Sequence, residues 1–237
     1  MRLLHSSFPV GALIALSLAV LTSPARAQAE TPEVLPTACE VELALSAAPP
    51  HLREGAGVFV YTAEGYVQHR EATNPYTCIV NRDSPRNIKP TCFDAEGTAT
   101  IIPKIEFVGE RLARGIPMSE TWAAVQEGFE DGTFASPTPG LAYMLSNYNR
   151  PFNTQTDSLV WFPPHVMVYA PNLTNEAIGT DMDALNADWR LPFVGYQGPQ
   201  GFVIVLTQEQ STPQPGDLPH CPAWLRANPP EVAESLH

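Results

Sequence analysis

The chain has 237 residues, with 25 Asp and Glu against 13 Lys and Arg and a formal charge of −12. A balance this acidic repels nucleic acid and anionic lipid, and no basic cluster offsets it: Lys89 and Lys104 are the only lysines. The length suits a single domain with a core of its own.

The N-terminus reads as a secretory signal over residues 1–27. Arg2 supplies the positive start, Val10 to Leu21 is uncharged and apolar, and Ala25-Arg26-Ala27 has the small-residue spacing of a cleavage site. The apolar run falls short of the ~20 residues a bilayer span needs. The expectation is an exported protein, periplasmic or secreted, with no transmembrane segment after cleavage.

Residues 28–208 read as one α+β domain, and 209–237 as a Pro-rich tail. Proline is abundant, 25 in all, about twice the usual ~5%, which predicts rigid loops between short elements. The alternation in Glu40 to Leu45 predicts a short strand. Gly57 to Thr62, Tyr66 to Arg70 and Tyr76 to Arg82 predict three more, joined first by the turn Ala63-Glu64-Gly65, in an antiparallel meander. Asp83 to Thr91, with Pro85 and Pro90, reads as a loop. Ile101, Ile105, Val108 and Leu112 then share one helix face, with Thr100 as N-cap and Gly115 as the stop. A second helix follows, capped by Ser119, with Trp122, Val125 and Phe129 on its buried side and Asp131-Gly132 at its end. Leu141 to Leu145, His165 to Ala170, Phe193 to Tyr196 and Phe202 to Thr207 return to strand, the last two as a pair. The expected architecture is a mostly antiparallel sheet with two helices packed on one face.

Four cysteines in an exported chain are most simply two disulfides, which allow three connectivities. The preferred set is Cys78–Cys92, closing a short local loop, and Cys39–Cys221, tying the tail back to the start of the domain. The segments CFDAEGT, LAYMLS and FPPHVMVYAP resemble those of a family of exported bacterial proteins with no assigned activity. The resemblance covers most of the mature chain and implies export, but no chemistry.

Candidate chemistry therefore rests on the residues. Cys92 just before a helix, with His165 on a later strand, outlines a thiol–imidazole pair. An oxidising compartment and a ready partner in Cys78 favour a disulfide instead. Asp94, Glu96 and His165 form a candidate acid–base or divalent-metal set, with His69 as a further imidazole. Against this, local capping alone accounts for acids at a helix start. Arg82, with Asp83, is a clamp for a ligand carboxylate or half of an internal ion pair. Tyr143 and Tyr169 offer aromatic faces with polar tips. Asn172-Leu173-Thr174 matches a glycosylation sequon, which a bacterial-type signal makes coincidental. Nucleotide-binding glycine loops, the G-x-S-x-G elbow, H-E-x-x-H and C-x-x-C do not occur. No cofactor is predicted. Two functions fit: a ligand-binding or accessory protein, for a small molecule or another protein, with a pocket near His165 and the Asp94–Glu96 turn; or a small periplasmic hydrolase using the same residues or Cys92.

Overall fold

A computed structural model describes residues 30–153, 155–207 and 217–226. The expected signal sequence, residues 1–27, and much of the expected Pro-rich tail lie outside the described residues. In chain order the elements are α1 (Thr37–Ser46), α2 (Pro50–Arg53), β1 (Gly57–Thr62), β2 (Gly65–Arg70), β3 (Thr77–Asn81) and β4 (Lys89–Phe93). There follow α3 (Ala95–Thr100), α4 (Ile102–Ala113), α5 (Met118–Glu130), β5 (Leu141–Met144), the two-residue pair β6 (Phe152–Asn153) and β7 (Ser158–Leu159), and β8 (His165–Tyr169). A 3-10 turn (Glu176–Ile178), α6 (Met182–Ala187), β9 (Phe193–Tyr196), β10 (Phe202–Leu206) and α7 (Ala223–Arg226) complete the described chain.

The fold is α+β, built on an eight-stranded sheet in the order β2-β1-β3-β4-β5-β8-β10-β9. Every neighbouring pair is antiparallel except one. The expected three-strand meander is corrected there: β1 and β2 form the predicted hairpin, but β3 lies on the other side of β1 and runs parallel to it. The connection explains this. Asn74 Nδ2 donates to the Leu52 carbonyl at 2.8 Å, the Thr73 amide donates to the Gly55 carbonyl at 2.7 Å, and the Gly57 amide donates to the Tyr76 carbonyl at 2.8 Å. The loop after β2 is thus pinned beside the start of β1, and the chain re-enters the sheet from that end.

Two further expectations fail for physical reasons. Glu40 to Leu45 is helical, not extended: it lies within α1, whose buried residues Cys39, Glu40, Leu43 and Ala44 recur with helical spacing. Glu, Leu and Ala are also strong helix formers. The stretch containing Pro90 is strand β4, not loop. Its β5 neighbour pairs only with Cys92 and Phe93, so β4 has one neighbour at Pro90 and tolerates the missing N–H. The predicted caps shift as well. Thr100 closes α3 and Ile101 occupies the N-cap position of α4, while Pro117 precedes α5. Gly115 and Gly132 do end their helices, both at positive φ, 67° and 81°.

The described residues form three apolar clusters, one of them (Val108, Leu112, Val125 and Phe134) between α4 and α5 and the other two on opposite faces of the sheet. On one face α1 packs over β1, β3 and β4, joining Leu43, Ala44, Val58, Val80 and Cys92 with Leu218, Cys221 and Leu225 from the tail. On the other face Ile79, Phe93, Ala142, Met167 and Ile204 meet Ile101, Ile102 and Ile105. There α4 packs on β2, α3 on β4, and α5 on α4. The two predicted helices are therefore present on one face, and α1 covers part of the opposite face.

Both disulfides join the preferred partners, Cys39–Cys221 and Cys78–Cys92. The second links directly opposed residues of β3 and β4. The first anchors the tail to α1, and Leu225 behind it is fully buried.

A polar cluster sits inside this frame. Arg82 reaches both carboxylate oxygens of Glu40, and both side chains are buried. Burial pushes the Glu40 carboxyl up while Arg82 pulls it down, and burial is the larger effect. The guanidinium lies 5.1 Å from the centre of the Tyr61 ring, and the Arg82 amide donates to the Tyr66 hydroxyl at 2.9 Å.

Candidate functional site

The α3–α5 side of the sheet is only partly covered. The helices pack toward β2 and β4, leaving an open cleft of about 290 Å³ over β4, β5, β8 and β10. Strand alternation dictates its floor. Asn81 from β3, Lys89, Thr91 and Phe93 from β4, Met144 from β5, His165, Met167 and Tyr169 from β8, and Phe202 and Ile204 from β10 all line it. Ile101, Lys104 and Trp122 close one side, and Asn149, Phe162 and Gln200 enter from loops. The result is an apolar trough with a few convergent polar groups, the usual make-up of a small-molecule site.

Its polar end is built around Asp83. Lys89 pairs with one carboxylate oxygen and the Asn87 amide donates to the other. Burial alone would raise the Asp83 carboxyl; Lys89 and the two hydrogen bonds override it and hold it below the ordinary carboxylate range. Lys104 is half-buried nearby. Burial pushes its ammonium down to about 8, with Asp83 opposing and Lys89 adding to the shift.

His165 is 2% exposed at the same end of the cleft. Its Nδ1–H donates to the Pro163 carbonyl at 2.7 Å, which leaves Nε2 as a bare acceptor in the neutral ring. Burial first, and then Lys89, push the imidazole down to about 4 against the pull of that carbonyl. The Phe162 ring stacks edge-on at 4.9 Å.

The other predicted residues are distributed differently. Asp94 caps α3, accepting from the Gly97 amide at 2.9 Å, and also accepts from the Leu141 amide at 2.8 Å. The Tyr169 hydroxyl shares its proton between Asp94 Oδ1 at 3.1 Å and the Leu141 carbonyl at 2.9 Å. Glu96 accepts from the Thr138 amide at 2.7 Å. These acids are held at the Tyr169 end of β8. His165 starts that strand four residues away, about 13 Å along it at the usual rise. The carboxylates and the imidazole therefore cannot share a proton or a metal ion. Among the described residues no group of three or more His, Cys, Asp or Glu side chains is placed to hold a metal. His69 is exposed on the edge strand β2, across the sheet from β8.

Two binding assignments, Arg82 and Tyr143, are corrected, and at Cys92 the thiol alternative gives way to the preferred disulfide. Cys92 is bonded to Cys78, so it is no nucleophile. Arg82 is spent on Glu40 and is no ligand clamp. Tyr143 lies on the opposite face from Met144, against the α1 core and 5.8 Å from the Tyr76 ring. Of the four predicted binding residues, only His165 and Tyr169 meet in one cleft.

Sequence reasoning missed Asn81, Lys89, Lys104, Asn149 and Gln200. One signal was available. The chain has just two lysines, and both line this cleft. The amides gave no signal, because loops and register bring them in. Asn81 Oδ1, Asn149 Oδ1 and Gln200 Oε1 are buried with no hydrogen-bond partner.

A larger surface groove, about 640 Å³, runs past Glu30, Arg86, Phe152 and Trp224. Its Arg86 is already committed to Glu30 and Asp157, at 2.8 and 2.7 Å, so the groove offers no free cation from that residue.

No family model, curated protein or solved structure matches the chain. The functional reading therefore rests on the cleft.

Proposed function

We propose that the protein is an exported ligand-binding protein whose site is the cleft between His165 and Tyr169 on the open face of the sheet. The observation that carries this reading is that one apolar trough holds both the half-buried Lys104 ammonium, which has no hydrogen bond or ion pair among the described residues, and His165, whose Nε2 keeps a bare lone pair. A few polar groups left unused inside an apolar concavity are what fix the orientation of a bound small molecule. Export is supported by the N-terminal sequence and by the two disulfides, which persist in oxidising compartments.

Binding is favoured over hydrolysis because His165 lacks the companions that hydrolysis needs. Cys92 is a disulfide sulfur, and Asp94 and Glu96 cap backbone amides at the far end of β8. The Asp94–Glu96 turn serves the site indirectly: Asp94 fixes the hydroxyl of Tyr169, which lines the cleft.

The test is a small-molecule fragment screen by ligand-observed NMR, followed by amide chemical-shift mapping on the oxidised protein. Hits should perturb β8, β10 and the Asn149 loop. Met167→Trp, which fills the trough, should abolish them. If no fragment maps to the cleft, or if hits survive Met167→Trp, the reading fails.

A further inference from the structure

We infer that the cleft's ligand is a small, ring-sized hydroxylated carboxylic acid whose carboxylate is held by Lys104. The inference rests on the binding reading above and specifies the chemistry of the molecule that fits.

The charge balance of the lining comes first. Asp83, Lys89 and Lys104 are its only formally charged side chains at neutral pH, His165 being neutral there. Asp83 and Lys89 neutralise each other through their ion pair. One positive charge remains, on Lys104. Among the described residues no hydrogen bond or ion pair within 4.0 Å holds its ammonium, and its nearest electrostatic partners are Asp83 and Lys89. In a chain of net charge −12 with only two lysines, both placed in one cleft, this surplus singles out a monoanion as the complementary guest. A divalent head group would bring more negative charge than the cleft has to meet it.

An acceptor comes second: His165 Nε2 is a bare lone pair once Nδ1–H is given to the Pro163 carbonyl. An acceptor in the lining calls for a donor on the guest, and a hydroxyl group supplies it without adding charge. A second carboxylate would face this acceptor unfavourably.

Size and shape come third. A space of about 290 Å³ holds roughly ten water-sized groups at ~30 Å³ each. The wall between the polar groups is Phe93, Ile101, Met144, Phe162, Met167 and Ile204, an apolar surface that suits the faces of one ring.

The experiment uses matched pairs of six-membered-ring hydroxy acids and their primary amides, beginning with 4-hydroxybenzoate and 4-hydroxybenzamide. Binding is measured by titration NMR at pH 7 on the purified, oxidised protein. The acid is expected to bind at least tenfold more tightly than its amide, with shifts mapping to the cleft. Lys104→Met should remove that preference and Lys104→Arg should keep it. Thermal unfolding of both variants checks folding, and the arginine variant keeps the test decisive if the methionine variant is unstable. Equal affinity of acid and amide in the cleft would overturn the carboxylate inference and leave the binding reading intact. A preference for the acid that persists in Lys104→Met would overturn the role of Lys104. Failure of every pair to bind the cleft would overturn the inference; the binding reading itself then stands or falls on the wider fragment screen.

Discussion

Acidification should destabilise this protein through His165, and the size of the effect follows from its surroundings. The folded ring is held down to about 4 from an ordinary 6.5, burial being the main cause. In the unfolded chain it returns to the ordinary value. Between these two values the unfolded state binds a proton that the folded state refuses, so stability present at pH 7 is lost as pH falls from 6.5 toward 4. Each tenfold difference in proton affinity between the two states is worth ~1.4 kcal/mol, and between pH 7 and pH 4.5 the loss integrates to about 2 kcal/mol. Other groups titrate over the same range, so the difference between wild type and His165→Leu isolates this one. At pH 7 the variant should be less stable by roughly 1–2 kcal/mol, because the Pro163 carbonyl loses its donor. At pH 4.5 that deficit should vanish or reverse. Urea unfolding at both pH values, with disulfides intact, measures the difference. If it is the same at pH 7 and 4.5 within ~0.5 kcal/mol, His165 exchanges protons freely in the folded state and the argument from burial is wrong.

Three other outcomes are expected. Glu40→Gln strands the buried Arg82 guanidinium and should cost about 3–5 kcal/mol by urea unfolding, while Glu40→Met/Arg82→Met should lie nearer wild type; additive losses would show that the pair is not coupled. Removing Cys78–Cys92, a separation of 14 residues, should cost about 3 kcal/mol by calorimetry, and removing Cys39–Cys221, a separation of 182, should cost more; the reverse order would count against an unfolded-chain origin for the stabilisation. Gly97→Ala places a methyl carbon 2.1 Å from the Tyr169 hydroxyl and 2.9 Å from Phe93 Cδ1, so it should lower stability by roughly 1–3 kcal/mol and displace Tyr169 from Asp94; an unchanged melting temperature would mean that Tyr169 moves freely.

Elements with strong local signals were legible without a structure. The β1–β2 hairpin declared itself through β-branched and aromatic runs around a Glu-Gly turn, and α4 through four apolar residues on one face. Strand alternation on β8 correctly put His165, Met167 and Tyr169 on one side, the side that proved buried. The disulfide partners were also reachable, since one pairing closes a short local loop and the other explains a cysteine in a Pro-rich tail. What failed were segments whose local pattern tertiary packing overrides. The Glu40 to Leu45 alternation belongs to a helix because α1 buries Glu40 against Arg82, a partner 42 residues away. Pro90 suggested a loop because its tolerance in β4 depends on where β5 stops pairing.

By itself, then, the sequence determined the α+β class, the acidic surface, the two covalent staples and the orientation of the strand that carries His165. These follow from composition and from periodicities spanning a few residues. Only the tertiary structure decided which polar groups meet. Asp94 and Glu96 stand closer to Lys104 in sequence than His165 does, yet the fold assigns them to capping and brings His165, Lys89, Lys104 and Asn149 to one trough. The physical reason is that strand order and register set these neighbours, and both depend on pairings between distant segments.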